Sequence, residues 1–269
     1  MQHELEFIER RMYEDLHAAA DDGLRKQLKL GAHEVGSAFV SVAGALPASA
    51  IVINISYGLG LEKSATREEV DEIVGYYAAA GAKRYFVQLH PQARPEQLPE
   101  WLAQHNLMPT RGWMMFSRGR ESLRPVSTSL AVRRATGSDA EAFARICCDA
   151  FDLGQAAAPL LVRLVGRRGW HVYMSFDGDE PAGTGVFFVE GELAYFSFGA
   201  TVPKFRGRGG QTAVLHARIQ AALDLGCRTL ATCTGEEVSG DAQHSYNNIL
   251  KAGFEARYVR RNFAFPKTG

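Results

Sequence analysis

The residue types best suited to binding a ligand lie in a basic, glycine-rich run in the second half of the chain. It reads PKFRGRGG over residues 203–210, after an apolar β pattern and before an amphipathic helix pattern that begins at Gln211. Backbone N–H groups converge at the positive end of a helix, and glycines allow a ligand to approach them closely. Arg206 and Arg208 add positive charge at the same place. The run therefore predicts a phosphate or diphosphate site.

Three interpretations of this run compete on the sequence alone. A surface loop with solvated arginines and turn glycines is the simplest. A nucleic-acid-binding arginine-glycine segment is disfavoured, because such segments occur in disordered repeats and this one lies between a strand and a helix. A phosphate-binding loop is the third. It lacks the GxxxxGKS/T pattern of a P-loop, and hairpins join the strands before it, unlike the βαβ units of dinucleotide-binding folds.

The elements around the run predict a small mixed sheet with an antiparallel meander. In order they are a strand (130–134), a helix after Ser138 or Asp139, three strands (171–176, 183–189 and 193–202), a helix ending at Gly226, a strand (228–234), a short helix (245–252), and a strand pair through Tyr258 and Phe263. Short turns between the three strands, each with a central glycine, favour direct hairpins.

The first half of the chain shows the same order of patterns. It has an amphipathic helix with Leu5, Ile8, Met12 and Leu16 on one face, strands at 38–43 and 50–57, a helix opened by Thr66 and closed by Gly81, a strand at 84–89, a helix beginning near Pro95, and a strand around 113–116. The polar stretch 119–129 lacks periodicity and predicts a linker. Local matches between the halves, such as 102–116 with 250–265, indicate an internal duplication.

The glycine-rich run resembles the acetyl-CoA pyrophosphate loop of the GNAT superfamily of N-acetyltransferases. That family's pattern is Arg or Gln, two residues, Gly, one residue, and Gly or Ala. The sequence matches it with Arg206 and Gly209 and departs from it with Gln211 at the last position. The short helix that ends in Gly-Phe at 253–254 is similar to the family's second motif. The resemblance covers residues 130–265 and implies an α+β fold of two GNAT-like mixed-sheet halves flanked by helices.

The resemblance also implies acetyl-CoA as co-substrate and a set of residues that bind it. Backbone groups of Ala200, Thr201 and Val202 would contact the pantetheine arm, and Asn248 on the short helix would contact the same arm. The pyrophosphate would be held by the loop residues Arg206, Gly207, Arg208, Gly209, Gly210, Gln211 and Thr212.

The acid that protonates the leaving thiolate does not stand at its usual position. In the family it is a Tyr four residues before the glycine of the Gly-Phe pair, and here that position is Ile249. Tyr246 and Ser245, about one turn earlier, are the candidate substitutes. Tyr246 is equally suited to be a packed aromatic.

The general base is expected near Tyr195, on the strand before the loop. Some family members carry a Glu at this place, and the turn just ahead of it here holds Glu190 and Glu192. A water relay would serve an amine that is already partly neutral. His244 and Asp241, in the loop before the short helix, are further titratable groups, although a loop histidine is more often simply solvated.

No such loop occurs in the first half. After the strand ending at Tyr57 the sequence reads GLGLEKSAT over 58–66, with only Lys63, next to Glu62, to offer positive charge. We therefore expect two domains: 1–122, a degenerate GNAT-like domain without a cofactor loop, and 129–269, a GNAT acetyltransferase domain. An unrelated α/β lid domain is the alternative for the first, and both predict no cofactor there.

Composition sets the remaining limits. The 269 residues suffice for two domains, and 46% hydrophobic with 22% charged residues excludes a disordered, collagen-like or coiled-coil chain. Lys plus Arg and Asp plus Glu each total 30, which argues against nucleic acid or an acidic membrane as partner. Four cysteines without CxxC spacing predict neither a zinc site nor a disulfide framework, so no metal is expected.

The function that the resemblance implies is an acetyl-CoA-dependent N-acetyltransferase acting on a primary amine of a small molecule or on an amino-terminal group. The charged N-terminal segment is unlike a signal peptide, so a cytoplasmic protein is expected. A monomer or a homodimer is expected as its oligomeric state. The alternative is a non-catalytic acyl-CoA-binding regulatory protein that kept the loop and lost the chemistry.

Overall fold

The chain folds into two compact units, seen in a computed structural model that describes residues 2–240 and 243–266. Unit 1 consists of the chain up to Ala19 and of Met115–Arg257, and unit 2 consists of Ala20–Met114 and of the chain from Tyr258. The first 19 residues thus belong to the unit formed mainly by the second half of the chain, and the segment from Tyr258 belongs to the other unit. The sequence instead predicts one boundary, between 122 and 129. Periodicity identifies a helix or a strand but not the sheet that it joins.

The helices and strands bear out the predicted order closely. In chain order they are α1 (Gln2–Ala18), α2 (Asp22–Leu28), β1 (Leu30–Val35), β2 (Ala38–Ala43), β3 (Ile55–Tyr57), α3 (Arg67–Ala80), β4 (Phe86–Leu89), α4 (Leu98–Gln104), β5 (Met108–Arg118), β6 (Ala131–Arg134), α5 (Ala140–Ala150), α6 (Ala158–Val162), β7 (Trp170–Asp177), β8 (Glu180–Glu190), β9 (Leu193–Thr201), α7 (Gly210–Asp224), β10 (Thr229–Gly235), α8 (His244–Lys251) and β11 (Glu255–Ala264).

Unit 1 is built on a mixed sheet with strand order β5-β10-β9-β8-β7-β6. Strands β6 to β9 pair antiparallel with their neighbours, which confirms the predicted meander. Helix α7 then carries the chain from β9 to β10, which lie parallel to each other. This strand-helix-strand crossover places the glycine-rich run at the C-terminal end of β9, where backbone groups at strand ends commonly meet ligands.

Helix α1 forms part of unit 1. Its predicted apolar face is buried, with Leu5, Ile8 and Leu16 fully inaccessible to water, and the helix packs on β8, β9 and β10. The side chain of Asp15 accepts hydrogen bonds from Trp170 Nε1 (2.6 Å) and from Arg167. The sequence predicts the helix correctly but groups it with the following strands, because its own periodicity does not encode its partner.

Unit 2 has the strand order β1-β2-β3-β4-β11. Strands β2 and β3 pair antiparallel, and α3 connects β3 to the parallel β4. This is the same order, a hairpin followed by a strand-helix-strand crossover, as in unit 1. The Tyr77 and Tyr85 rings stack 3.8 Å apart within the core of the unit.

Three predictions for unit 2 need correction. Strand β3 starts at Ile55, because successive turns occupy residues 47–54, as in the hydrogen bond from the Ile53 amide to the Ala50 carbonyl. The predicted closing strand pair is the single strand β11. The sequence analysis also missed α2 and β1; β1 has no run of buried apolar residues. Among the described residues, no helix is long and apolar enough to cross a membrane.

Candidate active site

Strands β9 and β10 separate part-way along their length. Their parallel ladder runs from Leu193 paired with Thr229 to Phe196 paired with Thr232, although β9 continues to Thr201 and β10 to Gly235. The Thr232 hydroxyl donates to the carbonyl of Phe196 over 2.9 Å. The ladder ends with this pair, and the place beyond it, where β9 and β10 continue without pairing, is called the wedge below.

A β-bulge on β9 lies directly beyond this point. Ala200 pairs with Thr184 and Ser197 with Val186, so Phe198 and Gly199 both stand opposite Gly185. Phe198 has a positive φ of 49°, as expected where an extra residue bends a strand. The bulge turns β9 away from a regular ladder and so contributes to the wedge.

The buried guanidinium of Arg218, on α7, holds the bulge in place. It donates to the carbonyls of Val186 (2.8 Å) and Ser197 (3.2 Å), and only 5% of the residue is exposed. Gly185 leaves the room that it needs, since a Cβ there would lie 2.5 Å from the guanidinium carbon. Burial lowers the pKa of Arg218 to about 9. The carbonyl acceptors offset part of the cost of burying this cation.

The glycine-rich run leads from β9 into α7 through two residues with left-handed backbone. Gly207 and Gly209 each have a φ of 78°. At Gly209 a side chain would also collide with the chain, because a Cβ would lie 2.9 Å from the carbonyl oxygen of Ser127; at Gly207 the same direction is open. The sequence therefore needs glycine at both positions for conformation and leaves a free approach at Gly207.

The N-terminus of α7 has amide donors to offer. The first helical hydrogen bond runs from the Ala213 amide to the Gly209 carbonyl, so helix geometry leaves the amides of Gly210, Gln211 and Thr212 without an intrahelical acceptor. Gly209, at the N-cap, supplies no side-chain cap, and the first turn holds no acidic residue. This end of the helix suits an anion.

The two arginines of the run differ in their surroundings. Arg208 makes a bidentate ion pair with Asp177, with nitrogen-oxygen distances of 2.6 and 2.9 Å, and contacts Ser129. This pairing lowers the pKa of Asp177. Within residues 2–240 and 243–266, the side chain of Arg206 makes no ion pair and is exposed. The charge of Arg208 is thus largely compensated, whereas that of Arg206 is available to a ligand.

Helix α8 meets the N-terminus of α7 through Gln211. Asn248 Nδ2 donates to Oε1 of Gln211 over 2.9 Å, and Nε2 of Gln211 lies 3.5 Å from the hydroxyl of Ser245. The residue that departs from the family pattern therefore connects the predicted binding residue Asn248 with the candidate acid Ser245. The structure brings the loop, Asn248 and Ser245 together.

The two candidate acids on α8 differ in exposure. Tyr246 is buried, and its ring packs edge-on against Phe116 with 5.0 Å between centroids. Ser245 is exposed and lies beside the α7 N-terminus. Ile249, at the usual position of the acid, is also buried. Tyr246 and Ile249 form the packed face of this helix.

Tyr195 contacts an acidic residue that the sequence analysis did not identify. Its hydroxyl donates to Oε1 of Glu9 on α1 over 2.6 Å, and the Sγ of Cys233 lies 3.1 Å from the hydroxyl oxygen of Tyr195. Glu9 is 1% exposed. A signal existed, because Glu9 falls on the apolar face of the predicted helix, one turn after Leu5 and three residues before Met12.

The turn glutamates lie in other environments. Glu190 pairs with Arg11, with 3.1 Å between Oε1 and Nε, and Glu192 pairs with Arg228. Both pairs are at least partly exposed to water, so neither glutamate sits in the wedge with Tyr195. His244 begins α8, and Asp241 lies outside the described residues.

The corresponding helix of unit 2 begins in a different way. Thr66 caps α3 by accepting from the Glu69 amide, and the Glu69 side chain accepts from the Thr66 amide, which completes a capping box. The preceding loop is hydrogen-bonded to its own unit, as in the bond from the Arg94 amide to the Gly60 carbonyl. A side chain at Gly60 would collide with Arg94, so the chain itself fills this place.

Comparisons with known proteins identify the fold. No protein-family model and no curated protein matches the sequence. Among solved structures, the chain is similar to a GCN5-related N-acetyltransferase from Kribbella flavida, with a TM-score of 0.61 and 13% identity over 94% of this chain and 95% of that one.

Two further structures match over most of the chain. One is a GCN5-related N-acetyltransferase from Sphaerobacter thermophilus (TM-score 0.61, 16% identity, 86% of this chain and 81% of that one). The other is a conserved protein of unknown function from Staphylococcus epidermidis (TM-score 0.60, 7% identity, 92% and 98%). The chain therefore has the fold of the GNAT acetyltransferases, as its motifs predict.

Proposed function

We propose that the protein is an acetyl-CoA-dependent N-acetyltransferase that acetylates a primary amine of a small molecule or an amino-terminal group. One observation carries the proposal: the uncapped, glycine-lined N-terminus of α7 follows directly on a strand that parts from its neighbour. An anionic group at the helix and an extended chain along the open edge of β9 are the two ligand features that this arrangement accepts.

The residues around α7 fit the pyrophosphate end of acetyl-CoA. The amides of Gly210, Gln211 and Thr212 lack intrahelical acceptors, and the approach at Gly207 is open. Arg206 would add positive charge near the pyrophosphate. The charge of Arg208 is already compensated by its ion pair with Asp177. Thr201, at the end of β9, belongs with Ala200 and Val202 to the backbone that would contact the pantetheine arm.

The reacting groups would meet where β9 and β10 separate. Acetyl-CoA, when bound, supplies the acetyl thioester. We assign Tyr195 to take the proton that the amine loses. Its hydroxyl lies 3.1 Å from the Sγ of Cys233 on β10 and therefore at the place where the two strands separate. Ser245 and Tyr246 are the candidates for protonating the sulfur, and the exposed Ser245 is the more accessible of the two.

A non-catalytic acyl-CoA-binding protein is the second candidate. The observation in its favour is the buried Ile249 at the usual position of the acid, together with the packing of Tyr246 against Phe116. Such a protein would keep the loop and the wedge but would lack a donor for the sulfur.

Two measurements on the purified protein separate these candidates. Titration calorimetry with acetyl-CoA measures binding, and a free-thiol assay with a panel of primary amines measures turnover. Binding with thiol release supports the acetyltransferase. Binding without release for any amine supports the regulatory protein, and the absence of binding contradicts both.

A further inference from the structure

We propose that Glu9 of α1 is a positioning residue that receives, through the hydroxyl of Tyr195, the proton that the acceptor amine loses. This inference deepens the proposed acetyl transfer and rests on it. It assigns a role in the reaction to the N-terminal helix, which the sequence pattern groups with the half that lacks a cofactor loop.

Glu9 and Tyr195 form a buried hydrogen-bonded pair. The phenol donates its hydrogen to Oε1 of Glu9 over 2.6 Å, and the two residues are 1% and 2% exposed. A phenol oxygen can accept one hydrogen while it donates its own. In a buried pair of this kind, the phenol can pass one proton inward to the carboxylate as it takes another from the amine.

The pair lies at the end of the β9–β10 ladder. Tyr195 lies one residue before the last pair of the β9–β10 ladder, and Cys233 lies one residue beyond it. The Tyr195 hydroxyl therefore lies where the strands part. The six residue steps from Tyr195 to Thr201 span at most about 20 Å, less the shortening by the bulge at Phe198, a length that suits an extended pantetheine arm with its diphosphate at α7.

The side chain of Tyr195 lies on the face of the sheet opposite to α7. Successive side chains of a strand point to opposite faces. Tyr195 meets α1 on one face, whereas the next residue, Phe196, lies under Arg218 of α7 and against Phe254 on the other. The phenol thus faces away from α7. Because α1 covers this face and Tyr195 is 2% exposed, an amine would have to reach the hydroxyl through the place where β9 and β10 part, beside Cys233.

Glu9 is a carboxylate buried among apolar side chains. It stands among Leu5, Ile8 and Met12 on the face of α1 that packs against the sheet. A carboxylate is expensive to bury, even when hydrogen-bonded, and an apolar side chain would pack there at lower cost. Buried titratable groups beside an opening are often retained for chemistry.

The proton and electron count of the step is balanced. The amine nitrogen bonds to the acetyl carbon in place of the sulfur, which keeps the electron pair of the broken C–S bond and takes a proton from Ser245 or Tyr246, and water then reprotonates that donor. The amine's proton passes to the Tyr195 oxygen while the phenol proton passes to Glu9. Glu9 later returns its proton to water through Tyr195. A neutral amine and a thioester thus give an amide and a thiol.

Glu9→Gln tests the proposal, because glutamine keeps the size and the acceptor oxygen but does not take the proton. With the amine that turns over fastest, we expect kcat to fall about 100-fold or more, with Kd for acetyl-CoA and Tm near their wild-type values. Tyr195→Phe is expected to reduce kcat similarly. The double variant is expected to be no slower than the slower single variant, because the two groups act in series.

Asp15→Asn is the matched control, since Asp15 also anchors α1 through a hydrogen bond of 2.6 Å, from Trp170. We expect it to leave kcat near the wild-type value. An equal loss of kcat in this control, or a wild-type kcat in Glu9→Gln, overturns the relay and leaves the acetyltransferase intact. Acetyl-CoA binding without turnover by the wild-type protein, or no binding at all, overturns the proposed acetyl transfer and the relay with it, whereas the two variants test the relay alone.

Discussion

The N-termini of α3 and α7 occupy the same place in the two units, after the first strand of a parallel pair. They differ in their caps and in the charge of their first turns. Helix α3 has Thr66 and Glu69 in a capping box, with Glu68 beside them. Hydrogen bonds from its own backbone amide and from Thr66 lower the pKa of Glu68, so negative charge already resides there. Helix α7 begins after Gly209 with no acidic residue in its first turn.

The difference shows how one fold can keep or lose an anion site. A helix N-terminus presents free amides and a partial positive charge. In α3 the side chains of Thr66 and Glu69 accept from two of the amides at the start of the helix, which stabilises the helix, and the acidic first turn repels an incoming anion. In α7 glycines leave them for a ligand. We infer that the two units share an element order while only unit 1 binds acetyl-CoA.

The largest effect is expected from Gly207→Glu, which places a carboxylate at the open approach to α7. We predict that acetyl-CoA binding weakens about 100-fold or more, equivalent to about 2.7 kcal/mol. Gly226→Glu is the matched control, because Gly226 also has a positive φ, of 88°, with open space around it, and lies beyond the other end of α7. Equal weakening in both variants, measured by calorimetry, would show that backbone strain rather than the site is responsible.

A smaller effect should separate the two arginines of the run. We predict that Arg206→Gln weakens acetyl-CoA binding about 10-fold, or about 1.4 kcal/mol. Arg208→Gln should weaken it less than about 3-fold, because Asp177 already compensates the charge of Arg208. Calorimetric Kd values at one salt concentration compare them. A larger loss for Arg208→Gln would mean that its side chain leaves Asp177 for the ligand.

The smallest effect is expected in unit 2, where Thr66→Ala removes the cap of α3. We predict a loss of about 1 kcal/mol in the free energy of unfolding, seen as a Tm lower by a few degrees. Acetyl-CoA binding should stay at its wild-type Kd. If the uncapped helix gained a second binding event, capping would be the sole barrier to a site in unit 2.

Local sequence patterns sufficed for the elements and for the loop. Thr66 and Gly81 mark the ends of α3 because caps are local, and the glycines of the run are needed for backbone conformations within a few residues. The topology followed from turn lengths and from the family resemblance.

Contacts between distant segments could not be predicted in this way. The ion pair of Arg208 with Asp177 and the hydrogen bond of Tyr195 with Glu9 join residues 31 and 186 positions apart. Neither pairing leaves a periodic trace in the chain. Glu9 is visible in the sequence as a charged residue on an apolar helix face, but only the packing of α1 on β9 identifies Tyr195 as its partner.

Titration calorimetry of the wild-type chain with acetyl-CoA tests most directly the inference that one unit kept the site and the other lost it. We predict one molecule bound per chain, with binding weakened about 100-fold or more by Gly207→Glu and unaffected by Thr66→Ala. Two molecules per chain would contradict the distinction between α3 and α7. No binding at all would contradict the assignment of the glycine-rich loop.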